Sequence, residues 1–289
     1  MKKSRKIWIG VGAFVLAGGS AASLPAKSLP GDAASVSAPR AQDDAASSTR
    51  QPHWQQFAQG GEGGEGGEGG EAGINVENAA TDPVEYIVAL QVIAAHYHAG
   101  LAAYQGKEQE AGAQMFAHGL SEIYFEMEDI FKKFGITDLG EKLEAAVAAA
   151  NEKKPAADVK KRVDAVLASL AAAEKAAPKS SASREAVTAH VTAELIDRAA
   201  AQFAVVQKDT NLEAYLDGLG FAMAARDQAK SILPWLKKQD PAKEKTFSQA
   251  LALVAEAYPG IKRPAKPKVT ESALLSAASR TKLAASSLQ

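Results

Sequence analysis

From position 82 to position 257 the apolar residues of this chain recur at steps of three and four, the period of α-helices. In DPVEYIVALQVIAAHYHAGLAAYQG, Asp82 is a capping residue, Pro83 takes the first helical position and Gly106 ends the run. Tyr86, Leu90, Ile93, Tyr97, Leu101 and Tyr104 form its apolar stripe. A second helix is predicted over 107–134, with Phe116, Leu120, Ile123, Met127, Ile130, Phe131 and Phe134 as its stripe and Gly135 as its stop. Alanine-rich helices follow at 138–152 and 156–176, before a Pro/Ser break at 178–183. Further helices are predicted at 184–208, 211–232 and 241–257, the last two divided by LPWLKKQDP.

This pattern predicts an all-α protein, a multi-helix bundle in two related up-down blocks, 82–177 and 183–258. Residues 259–289 read as a basic, proline-punctuated linker and a loosely attached final helix. Composition agrees: the chain is rich in alanine, only 6% aromatic, and no strand-like alternation competes.

The N-terminal part has a different character. MKKSRK followed by IWIGVGAFVLAGGSAA has the basic, apolar and small-residue regions of a secretory signal peptide, expected to span 1–26 and to direct the protein to the periplasm. Membrane attachment is expected only through an uncleaved leader. Residues 27–81 read as a disordered linker, including the repeat GGEGGEGGEGGE, whose glycines cannot meet the entropy cost of folding. The absence of cysteine excludes disulfides and a lipidated N-terminal cysteine.

Charge narrows the partners. Of 33 basic residues the leader holds four and no acid, leaving 29 against 34 acids. Such an acidic exported chain is not expected to bind nucleic acid. Between positions 82 and 134 there are eight acids and three bases, whereas after Tyr258 there are six bases and Glu271 alone. A cation belongs in the first region, and an acidic envelope protein partner would suit the second.

The candidate chemistry lies in the acidic region. His96 precedes the Gly106 turn by about as many residues as His118 follows it, so an antiparallel hairpin sets the two imidazoles at one level. Glu122 and Glu126 follow His118 at four-residue steps on one helix flank. Imidazole with carboxylate is ligand chemistry for iron, copper or zinc. His96, His118 and Glu122 are therefore the candidate metal ligands. Glu126 is a weaker candidate, as are His190 and Glu194 of AHVTAELID, where the pattern recurs. On the helical wheel, His118 lies opposite the apolar stripe, which also fits a solvated face. Met115 and Phe125 near that flank suggest instead that something covers it.

Several chemistries are excluded. The sequence has no Glu-x-x-His of a di-iron bundle, no His-Glu-x-x-His, no Cys-x-x-Cys-His, no phosphate-binding glycine loop and no Gly-x-Ser-x-Gly elbow. No catalytic residue is expected. A non-covalent haem between His118 and Met115 or Met127 is a further reading, and a metal-free envelope scaffold is another.

The stretches AAHYHAGLAAYQGKEQEAGAQMFAHGLSEIY, AELIDRAAAQFAVV and LEAYLDGLGFAMAAR resemble the imelysin-like group of helical periplasmic proteins, over about 85–132 and 186–232. That group includes components of bacterial iron uptake. The resemblance implies two related helical halves, a metal-related periplasmic role and a His and Glu bearing site between helices. Its Gly-x-His-x-x-Glu signature is met here by Ala117-His118-Gly119-Leu120-Ser121-Glu122, one residue longer and without the glycine, so the resemblance carries over to His118 and Glu122 alone.

Overall fold

Alanine favours helix and contributes little bulk, so helices of this composition can lie close together. The computed structural model describes residues 74–208 and 211–289, all helical or connecting segments, with no strand among them. The leader, the glycine and glutamate repeat and most of the expected linker lie outside the described residues.

A short α1, Val76–Ala79, comes first, where the sequence pattern predicted linker. It is anchored because Ile74 and Ala79 are buried and Asn75 caps it through the Asn78 N–H. Then come α2, Pro83–Gln105; α3, Gln109–His118; a π-helical segment, Gly119–Tyr124; and α4, Phe125–Lys133. Helices α5, Leu139–Asn151, and α6, Ala156–Ala173, form a hairpin that ends in a 3-10 turn, Glu174–Ala176. The remaining helices are α7, Arg184–Lys208; α8, Leu212–Gln239; α9, Pro241–Ala257; and α10, Glu271–Ser286.

Local signals act as the sequence predicts at most ends. The Asp82 carboxylate accepts from the Val84 N–H at 2.8 Å, Asp240 caps α9, and Gly135 takes a φ of +81° after α4. At the α2–α3 turn the left-handed residue is Lys107, with φ +73°, rather than Gly106.

Helix α2 is not one-sided. Ala89, Val92, Ile93, Tyr97 and Ala99 are all fully buried, so it is apolar all round because helices surround it. It is long and apolar enough to cross a membrane, yet 83% of its most apolar stretch is buried inside the bundle. Its tyrosines fasten α5 and α6: the hydroxyls of Tyr86, Tyr97 and Tyr104 donate to the carbonyls of Ala173, Leu143 and Lys154. Gln91 of α2 and Gln228 of α8 both donate to the Glu174 carboxylate, whose pKa burial raises.

Three predicted boundaries change. The second helix is broken by the π-helical segment, a wide turn that takes in one residue more than an α-helical turn. Helix α8 continues through Pro234 to Gln239: Pro234 is exposed, where solvent can satisfy the carbonyl it frees, and Ile232 and Leu236 are buried on either side. The final helix is not loosely attached. Leu274, Ala277, Ala278 and Ala285 of α10 are buried against α7 and α9, and Lys282 pairs with Glu194 and Asp197 of α7. The buried residues of both predicted blocks belong to one continuous core, in which α8 packs against both α2 and α7.

Candidate metal centre

Two close backbone approaches set the geometry. On α3, a β-carbon added at Gly112 would lie 2.6 Å from the Gly100 carbonyl of α2, so this hairpin is held at a distance only glycine allows. On α8, a β-carbon at Gly220 would lie 2.4 Å from the Ala95 carbonyl, one residue before His96. Helices α2, α3 and α8 therefore meet around His96.

His96 is buried, and its Nδ1 lies 2.8 Å from the Val92 carbonyl oxygen. Desolvation, above all, lowers its pKa to about 4, so the ring is neutral at pH 7. A carbonyl can only accept, which puts the proton of the neutral ring on Nδ1 and leaves the Nε2 lone pair bare. A backbone acceptor behind an imidazole fixes metal ligands in the same way.

Around that lone pair stand other donors. The His118 ring centroid is 6.4 Å from that of His96. His118 Nδ1 lies 3.7 Å from Glu122 Oε1; the π segment starts directly after His118 and contains Glu122. Among the described residues, His96, His118 and Glu122 form a group whose ligand atoms all lie within 4.8 Å of one another. The level match expected from the hairpin is thus present as geometry.

Two acids on α8, which no spacing in the sequence links to the hairpin, also approach the imidazoles. Glu213 Oε1 is 3.1 Å from His118 Nδ1, and Asp217 Oδ1 is 3.6 Å from His96 Nε2. The Asp217 oxygen is buried without a hydrogen-bond partner, and 3.6 Å exceeds hydrogen-bond length. Desolvation, the leading cause, pushes its pKa up to about 7, with Glu213 and Glu122 adding to the rise and His118 opposing it. A signal was available: Glu213 and Asp217 are like charges four residues apart on a helix, an arrangement that costs energy unless something positive faces it. The element that covers the His118 flank is α8; Met115 is buried, whereas Phe125, expected under the same cover, is exposed.

The remaining candidates lie elsewhere. Glu126 is exposed. His190 is buried on α7 and hydrogen-bonds to the Leu288 backbone, while Glu194 is held by the Lys282 ammonium at 2.9 Å. His98 pairs with Asp227 at 3.5 Å. Met127 is buried in the apolar core, as packing.

In comparison with known proteins, no family model, no curated protein and no solved structure matches this chain.

Proposed function

We propose that this is an exported, periplasmic, non-catalytic protein that binds a transition metal ion, iron, copper or zinc, for uptake or homeostasis, with His96, His118 and Glu122 as ligands. The observation that carries this reading is the convergence of those three donor groups within 4.8 Å at a junction of buried helices. Supporting it, His96 is neutral and turns a bare nitrogen toward the other donors, as a ligand must. The leader and the likeness to the imelysin-like group supply the periplasmic and metal-handling parts of the reading.

Elemental analysis of untagged protein, with calorimetric titration of metal into the chelator-treated form, tests it. The expected result is a near-stoichiometric ion that the His118→Ala, Glu122→Ala double variant fails to hold. Unchanged stoichiometry and affinity in that variant would remove these residues from the site.

A further inference from the structure

Each imidazole of the cluster faces a carboxylate on a third helix that the three-residue group does not include. Glu213 lies against His118 at 3.1 Å, and Asp217 lies against His96 at 3.6 Å. Donors bound to one first-row ion sit about 2.1 Å from it, so two of them are at most roughly 4.2 Å apart. The pairs His118–Glu213, His96–Asp217 and His118–Glu122, at 3.1, 3.6 and 3.7 Å, are each close enough to share an ion. Glu213 and Asp217 lie outside the group of three, whose own 4.8 Å spread needs one side chain to close by roughly half an ångström, so a five-donor centre needs both carboxylates to turn inward. The orphaned Asp217 oxygen points the same way. It is buried, has no hydrogen-bond donor, and faces Nε2 of an imidazole whose proton sits on Nδ1, directed at Val92. Two lone pairs facing each other across 3.6 Å repel unless a proton or a metal ion lies between them.

Building on the metal-binding reading, we infer that Glu213 and Asp217 complete the site as a centre of two imidazoles and three carboxylates, which favours iron or manganese over ions content with four donors or with soft ones. The chemistry of the donors carries this. Carboxylate oxygens suit hard ions that take five or six ligands, imidazoles suit iron as well as zinc, and no thiol exists in the chain for a soft ion such as Cu(I). Three carboxylates also match the charge of a divalent or trivalent ion. Zinc gains less from the two extra oxygens, because four ligands satisfy it.

The test compares Mn(II) with Zn(II), titrated calorimetrically into chelator-treated full-length protein, for the unmodified chain, Asp217→Asn and Glu213→Gln. Each variant is expected to weaken Mn(II) by at least ~10-fold, and by more than it weakens Zn(II). The Mn(II) electron paramagnetic resonance spectrum should change as an oxygen donor is lost. Glu213 is half-exposed, so Glu213→Gln gives a folded sample even if Asp217→Asn disturbs the junction. Unaltered Mn(II) affinity in both variants, with binding still lost in the His118 and Glu122 double variant, would overturn this inference and leave the metal-binding reading standing. Equal weakening of both ions would overturn the preference for iron or manganese. An unmodified protein that takes up neither ion would overturn the reading beneath it.

Discussion

Two stretches of this molecule share the pattern Ala-His-x-x-x-Glu. AHGLSE crosses from α3 into the π segment and AHVTAE lies in α7, each with a histidine four residues before a glutamate. Their surroundings differ. His118 and Glu122 face the His96 imidazole of α2, and Glu213 and Asp217 of α8 lie against His118 and His96 in turn. In the other stretch α10 supplies an ammonium, Lys282, which lies 2.9 Å from Glu194 and 3.2 Å from Asp197, while His190 bonds to the Leu288 backbone. The second stretch already contains its cation. A helix-borne His and Glu pair is thus raw material, and the helix opposite decides whether it becomes a latch or a candidate site.

The sharpest way to break this contrast is to disable each pair in turn. His118→Ala with Glu122→Ala is expected to lower metal affinity by at least ~100-fold, whereas His190→Ala with Glu194→Ala should leave it within about 3-fold, both read by calorimetry. A comparable loss from the α7 pair would erase the distinction.

Acid should separate the two regions next. His190 and His96 both have pKa values lowered to about 4 from 6.5. The unfolded chain therefore binds more protons between those values, and stability is lost as pH falls from about 6.5 to 4. Asp217, raised to about 7, runs the other way: its stabilising contribution is present at low pH and is lost as pH rises through 7. In the metal-free protein His96 and Asp217 oppose each other, which leaves His190, together with His98, lowered by burial in the same direction, on the acid limb. At ~1.36 kcal/mol per pKa unit, His190→Gln should flatten urea-derived stability between pH 4 and 6.5 by up to about 3 kcal/mol. An unchanged slope would contradict that assignment.

Packing gives the third test. Gly220→Ala drives a β-carbon into the Ala95 carbonyl and should cost roughly 2–3 kcal/mol while also weakening metal binding, because it pushes α8 away from His96. The smallest effect belongs to the latch. Lys282→Met removes a half-exposed ammonium and should cost about 1 kcal/mol or less in urea unfolding, with no change in metal affinity.

Most of the helical fold was legible because signals of several kinds agreed at the same places. Asp82 with Pro83 and Asp240 with Pro241 start helices, Gly135 stops one, and alanine fills the faces between. What failed did so where tertiary contacts overrule local rules. Pro234 reads as a break, yet the burial of Ile232 and Leu236 carries the helix past it. The stretch after Tyr258 reads as a loose tail, yet small residues of α10 bury it in the bundle. The candidate site shows the same division. A hairpin is local enough to count along, so His96 and His118 were found together; Glu213 and Asp217 are about a hundred residues further on, and no spacing rule links them to the hairpin.

The π turn bears on how this chain could change its length. A wide turn accommodates one additional residue while the helices on either side stay in phase. Deleting Ser121, an exposed residue whose hydroxyl only bonds back to Ala117, should let Gly119–Tyr124 rewind as ordinary α-helix with Met127 and Phe131 still facing the core. The same one-residue cut in the middle of α2 would rotate every following side chain by about 100° and unfold the bundle. Residues 119–124 are therefore the place where a deletion costs little folding, and where it would bring the glutamate to three residues from His118 instead of four.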